Sequence, residues 1–190
     1  MRLFVAIDLD ENAREAIGAE QRRLMHALGT VRSLRWVRPA DMHLTLAFLG
    51  ETDQSRAQAI VGAMGAALAA TPFVIAFTGL GVFPPRGAPS VLWIGVGAGR
   101  HELIAVERAV ADRLERAGVA RERRPYHPHL TLARWRESRP SDRQRALAHA
   151  PTGAIARARI AGATLYQSRL SPAGPTYTAL THANLAGRTA

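Results

Sequence analysis

His43 stands two residues before Thr45, and His129 two residues before Thr131, each pair inside the same tetrapeptide, His-Leu-Thr-Leu. An imidazole titrates near neutrality, so it can take or give a proton under physiological conditions, and a hydroxyl beside it can donate to an anion. Two such pairs supply a proton acceptor, a proton donor and two hydrogen-bond donors, enough to move protons around one small anion without a metal. A single His-x-Thr arises by chance in a chain of 190 residues. Two copies inside similar longer runs, MHLTLAFLG from Met42 and HPHLTLAR from His127, call for a common origin and a common task.

Both runs alternate polar and apolar residues and read as strands. Side chains of an extended strand point to opposite faces with period two, so His43 and Thr45 share one face while Leu44, Leu46 and Phe48 take the other. His129 and Thr131 are related in the same way, with imidazole and hydroxyl roughly 7 Å apart on each strand. Arg134 completes a His-x-Thr-x-x-Arg pattern in the second run only, and Phe48 occupies the matching place in the first. Strict alternation puts Arg134 on the face away from His129 unless a twist, a bulge or the strand end intervenes after Thr131. The same rule assigns Phe48 to the core.

The elements that must position these strands recur in order. An apolar strand at residues 3–9 and a helix at about 12–28, with Ile17, Leu24 and Leu28 at helical spacing, precede the first motif. A strand at residues 90–96 and a helix at about 102–117, with Leu103, Val106, Val110 and Leu114 on one face, precede the second. A helix follows each motif, at about 53–70 and 141–150, and then a β-rich run, at 73–81 and 154–167. The two motifs lie 86 residues apart, long for a solenoid repeat and natural for two lobes of one domain. The reading is a single bilobal domain over residues 1–190, with a pseudo-repeat at about 1–85 and about 88–185. A pseudo-two-fold axis between the lobes would bring the two histidine strands face to face across a cleft.

The chain resembles the two-histidine (2H) phosphoesterase superfamily, and within it the bacterial and archaeal RNA 2′,3′-cyclic phosphodiesterases, also called 2′-5′ RNA ligases. The resemblance rests on MRLFVAIDL, RWVRPADMHLTLAFLG, GLGVFP, VLWIGV, RPYHPHLTLAR and LYQSRLSPAGPTYTAL, in that order, and so covers nearly the whole chain. It implies an α+β fold of two pseudo-symmetric lobes whose mainly antiparallel sheets face a central cleft. It implies metal-independent, cofactor-free hydrolysis of RNA 2′,3′-cyclic phosphate ends to 2′-phosphate, with ATP-independent 2′-5′ joining as the reverse reaction. By the same resemblance His43 is the proton donor and His129 the proton acceptor, while Thr45, Thr131 and Arg134 bind phosphate. The residues by themselves leave the roles of the two histidines interchangeable. They also leave open a 2H phosphodiesterase acting on small nucleotides, such as ADP-ribose cyclic phosphate or 2′-5′ oligoadenylate, and a non-catalytic RNA-binding module.

Composition narrows the classes. The chain has no cysteine, which removes disulfides, thiolate nucleophiles and cysteine-based zinc sites. All 25 basic residues are arginine, so the chain has no lysine to carry an adenylate and no GxxxxGK[ST] phosphate loop. The GVGAGR run from Gly95 is read as a turn between strand and helix. No apolar run reaches the roughly 18 residues of a membrane span and no signal peptide opens the chain, which points to the cytoplasm. A net charge of +10 suits a polyanion such as RNA, although an arginine, alanine and glycine bias is also what GC-rich coding produces. Arg121, Arg123 and Arg124 precede the second motif and Arg134 and Arg136 follow it, a grouping suited to the rim of an RNA cleft or to a solvated loop. His127 and His129 form a His-x-His pair without an evident third metal ligand. Trp93 is expected in the core, and His26, His101, His149 and His182 in structural roles.

Overall fold

The computed structural model describes residues 1–29, 33–172 and 174–187. The order is β1 (Arg2–Asp8), α1 (Glu11–Leu28), β2 (Leu34–Trp36), β3 (His43–Glu51), α2 (Gln54–Met64), β4 (Phe73–Phe83), β5 (Val91–Val96), α3 (Arg100–Arg116), β6 (His129–Trp135), α4 (Pro140–Leu147), β7 (Ala154–Ile160), β8 (Gly162–Ser171) and β9 (Gly174–Asn184). The fold is α+β, with two antiparallel sheets ordered β3-β1-β8-β9 and β2-β6-β5-β4-β7.

Neither half of the chain builds a sheet alone. The first sheet takes β1 and β3 from the amino-terminal half and β8 and β9 from the carboxy-terminal end, and the second sheet takes β2 and β4 from the first half. The two sheets are therefore cross-braced by the chain itself, and β3 at the edge of one makes contact with β6 of the other. The short strand β2 and the hairpin partner β9 were not legible from alternation, and the helix expected at 53–70 stops at Met64.

The helices form as their patterns dictate. Asp10 caps α1 by accepting from the Ala13 amide at 2.8 Å, and Asp53 caps α2 by accepting from the Arg56 amide at 2.9 Å. On α1 the buried stripe is Ala13, Ile17, Gln21, Leu24 and Leu28, and on α3 it is Leu103, Val106, Val110 and Leu114. The apolar members of both stripes join Leu44, Leu46, Leu130 and Leu132 from the histidine strands in one contiguous cluster. Each fully buried leucine, isoleucine or valine contributes about 1.5–3 kcal/mol. The apolar half of each tetrapeptide thus anchors its strand, and the polar half is left facing outward.

No helix among the described residues is long and apolar enough to cross a membrane.

Candidate active site

Each histidine is the first residue of its strand. There His43 Nδ1 meets the Asp41 carbonyl at 2.8 Å, and His129 Nδ1 meets the His127 carbonyl at 2.7 Å. A carbonyl only accepts, so Nδ1 carries the hydrogen in both rings, and Nε2 is the atom left for chemistry. The same local bond in both halves fixes the same tautomer twice.

The structure resolves the parity of Arg134. Thr131 pairs with Trp93 and Ala133 with Leu92, so β6 advances two residues while β5 advances one, and Leu132 is the extra residue of a bulge. Leu132 and Ala133 are buried in succession, and Arg134 emerges exposed on the face shared by His129 and Thr131. A bulge at the equivalent place in β3 makes Leu46 the extra residue between Thr45 and Ala47. It has the same effect on Phe48, which is 60% exposed. The expectation that Phe48 lies in the core is therefore wrong: the bulge turns it out of the core, where the Arg2 guanidinium lies 4.9 Å from its ring centre.

A buried glutamine braces the bulge on β6. Gln21 is 2% exposed, and its Nε2 donates to the Val37 carbonyl at 2.7 Å and the Leu132 carbonyl at 3.1 Å. The Val37 amide donates to the same Leu132 carbonyl at 2.8 Å. Sequence reasoning passed over Gln21. Its signal was a polar residue set inside the apolar stripe of α1, where a buried amide must find partners.

Different surroundings meet the two imidazoles. Asp8 lies directly opposite His43 in the β1–β3 ladder, whereas Gly95 lies opposite His129 in the β5–β6 ladder. The Asp8 carboxylate accepts from Tyr166 Oη at 2.6 Å and from Thr164 Oγ1 at 2.8 Å. With its hydrogen given to Asp8, Thr164 Oγ1 accepts in turn from His182 Nδ1 at 2.8 Å. The His43 ring packs at 5.0 Å from Phe4 and edge-on at 5.4 Å from Tyr177. The His129 ring packs edge-on at 4.9 Å from Phe83 and 6.0 Å from Trp93. Trp93 is half-buried rather than in the core as expected, and it lies where a Cβ on Gly81 would fall within 2.1 Å of the indole. Only a glycine admits that approach.

Burial holds both imidazoles below their ordinary pKa. For His43 this is opposed by the hydrogen bond to the Asp41 carbonyl and by the charges of Asp8 and Asp41, and reinforced by Arg134. For His129 it is opposed by the bond to the His127 carbonyl and reinforced by His127 and Arg134. His127 itself is held low by burial and by Arg100, with its ring 4.8 Å from Trp93.

A cavity of about 450 Å³ opens beside His43, lined by Phe4, Asp8, Arg14, Arg38, Tyr166 and Tyr177 among others. Arg38 is neutralised by Asp41, with Nε 2.6 Å from Oδ2. Among the arginines ahead of the second motif, Arg121 pairs with Asp112 and Arg124 with Glu122. No group of three His, Asp or Glu side chains among the described residues comes together in a way that could hold a metal ion.

A model of the 2′-5′ RNA ligase superfamily matches residues 7–170. The chain belongs to this superfamily. A protein of Archaeoglobus fulgidus named RNA 2′,3′-cyclic phosphodiesterase is 33% identical over 179 residues, covering 93% of this chain and 96% of its own. One of the same name from Methanocaldococcus jannaschii is 30% identical over 181 residues, covering 93% and 96%. Among solved structures, TT0787 of Thermus thermophilus matches with a TM-score of 0.80 at 29% identity, covering 99% of this chain and 100% of its own. Escherichia coli LigT complexed with 3′-AMP matches with a TM-score of 0.75 at 26% identity, covering 97% of each chain. The superfamily and the α+β fold expected from the motifs are those found.

Proposed function

We propose that this member of the 2′-5′ RNA ligase superfamily is a hydrolase that opens RNA 2′,3′-cyclic phosphate ends to the 2′-phosphate, using His43 and His129 and no metal. The observation that carries the reading is the repeated Nδ1–carbonyl bond, which leaves two Nε2 atoms for proton transfer on strands that touch. His129 Nε2 takes the proton of a water whose oxygen attacks phosphorus. The bond from phosphorus to the 3′ oxygen breaks, and His43 delivers a proton to that oxygen. The products are a 2′-phosphomonoester and a 3′-hydroxyl. Thr45, Thr131 and Arg134 bind the non-bridging oxygens, where charge grows in the transition state. Run in the same direction with a 5′-hydroxyl in place of water, these steps join two RNAs through a 2′-5′ bond without ATP, and run backwards they cleave that bond to regenerate the cyclic phosphate.

The assignment of acid and base has a physical basis. Asp8 opposite His43 favours the imidazolium, and Gly95 opposite His129 offers no such support. His43 is thus the better seat for the proton that is given, and His129 for the neutral base. The cavity beside His43 suits the terminal nucleoside, whose base would lie against Tyr177 and Phe4.

The test is hydrolysis of a short RNA ending in a 2′,3′-cyclic phosphate, in excess chelator, by the unaltered protein and by His43→Ala and His129→Ala. Rapid release of the 2′-phosphate isomer, lost in both variants, supports the reading. Release of the 3′-phosphate, or abolition by chelator, refutes it.

A further inference from the structure

In the short ladder between β2 and β6, Arg35 lies directly opposite Arg134, flanked by the pairs Leu34–Trp135 and Trp36–Ala133. Directly paired residues of an antiparallel ladder share a face, so Arg35 projects on the side of Arg134, Thr131 and His129, and both arginines are exposed. Like charges in this relation repel, and a chain gains nothing in stability by placing them so. The arginines that line the cavity beside His43 have their charge matched, Arg38 by Asp41 and Arg14 by Glu11. Among the described residues, neither Arg35 nor Arg134 has a carboxylate within ion-pair distance.

Two unmatched guanidinium groups on neighbouring strands, about 5 Å apart in backbone, form a site for more negative charge than one phosphate carries. Arg134 is the inner of the two and lies on the histidine strand. Arg35 is one strand farther out, on the edge strand of the sheet.

We infer that Arg35, together with Arg134, forms a second phosphate subsite that holds an internucleotide phosphodiester of single-stranded RNA while the cyclic phosphate sits between the histidines. This rests on the hydrolase reading above and extends it. The catalytic pair accepts any 2′,3′-cyclic phosphate, and Arg35 is the specificity-determining residue that makes an oligonucleotide a better substrate than a mononucleotide.

The experiment compares kcat/KM for adenosine 2′,3′-cyclic monophosphate and for a trinucleotide ending in a 2′,3′-cyclic phosphate, with the unaltered protein, Arg35→Ala and Arg35→Gln. A charge-assisted phosphate contact is worth roughly a ten- to hundred-fold effect. Both variants should lose about that much on the trinucleotide and keep their rate on the mononucleotide. The slope of log kcat/KM against log salt for the trinucleotide should also fall in magnitude by about 0.7, the value for one phosphate contact to a single strand. Equal loss on both substrates would mean that Arg35 merely supports Arg134, and no loss on either would mean that it touches no substrate; each outcome overturns the inference and leaves the hydrolase standing. If the unaltered protein turns over neither substrate, the hydrolase reading itself fails and this subsite falls with it.

Discussion

The two histidine strands carry the same tetrapeptide, the same tautomer-fixing bond and the same bulge after the threonine, yet they end in different surroundings. On β3 the ladder sets Asp8 across from His43, and the neighbouring strands supply Phe4, Tyr166 and Tyr177. On β6 it sets Gly95 across from His129, and the bulge presents Arg134, with Arg35 beyond it. One wall of the cleft is aromatic with a carboxylate, and the other is cationic. The motif provides an imidazole and a hydroxyl. In the proposed reaction, what stands on the adjacent strands would decide whether that imidazole holds its proton or lacks it, and whether the wall receives a base or a phosphate.

The largest effect should come from breaking the pair itself. Loss of either imidazole should reduce kcat by about 10²- to 10⁴-fold on RNA cyclic phosphate. The comparison sharpens with a phosphodiester bearing an activated aryl leaving group, which needs no protonation. On that substrate His43→Ala should recover much of its rate while His129→Ala should not, and equal recovery of both would remove the assigned roles.

Next in size is the contrast between Arg134 and Phe48, which occupy matching places. Arg134→Ala should cost roughly ten- to hundred-fold in kcat/KM, as expected for a charge-assisted hydrogen bond of about 1.5–3 kcal/mol. Phe48→Ala should change kcat little, measured on the mononucleotide cyclic phosphate. A larger loss at Phe48 would show that the first strand, too, places a binding group at that position.

Replacing Gln21 by leucine leaves the Val37 carbonyl short of its partner and loosens the bulge. The expected cost is about 1–3 kcal/mol of stability by denaturant unfolding, with a fall in kcat/KM of the kind seen for Arg134→Ala but weaker. Lost stability with unchanged kinetics would separate the bulge from the position of Arg134.

The subtlest prediction concerns pH. Both imidazoles are depressed in the free protein, so the form with one neutral and one protonated ring is most populated below pH 6.5, the ordinary imidazole value. The maximum of kcat/KM should therefore lie on the acid side of 6.5. Asp8 raises His43, so Asp8→Asn lowers it further and should move the alkaline limb to lower pH, leaving the acid limb of His129 in place. A shift of the acid limb instead would exchange the two roles. Linkage gives the same sign in stability: groups depressed by folding resist protonation, so the stability they lend is present above the unfolded pKa and is lost as pH falls through the folded value.

Much of this was legible in one sequence because it depends on short-range periodicity. Leu44, Leu46, Leu130 and Leu132 had to be inside and the motif histidines on the other face, since side-chain direction in a strand alternates. The apolar stripes of α1 and α3 followed from helical spacing in the same way. Where alternation was carried through a bulge it failed, at Phe48 and at Arg134, because a single extra residue reverses the parity of everything after it. Trp93 was misjudged for a related reason: its indole is accommodated by Gly81 on the adjacent strand, and no pattern within residues 90–96 carries that information.

The sequence by itself determined the two His-x-Thr motifs, the strands that bear them and the superfamily, because these reside in residue types and local spacing. The tertiary structure alone decided that Asp8 faces His43, that Gly95 faces His129, that Gln21 braces the bulge and that Arg35 stands beside Arg134. Each of these is a pairing between residues far apart in the chain, fixed by strand register and by the exchange of strands between the two sheets, and register is a property of the folded whole.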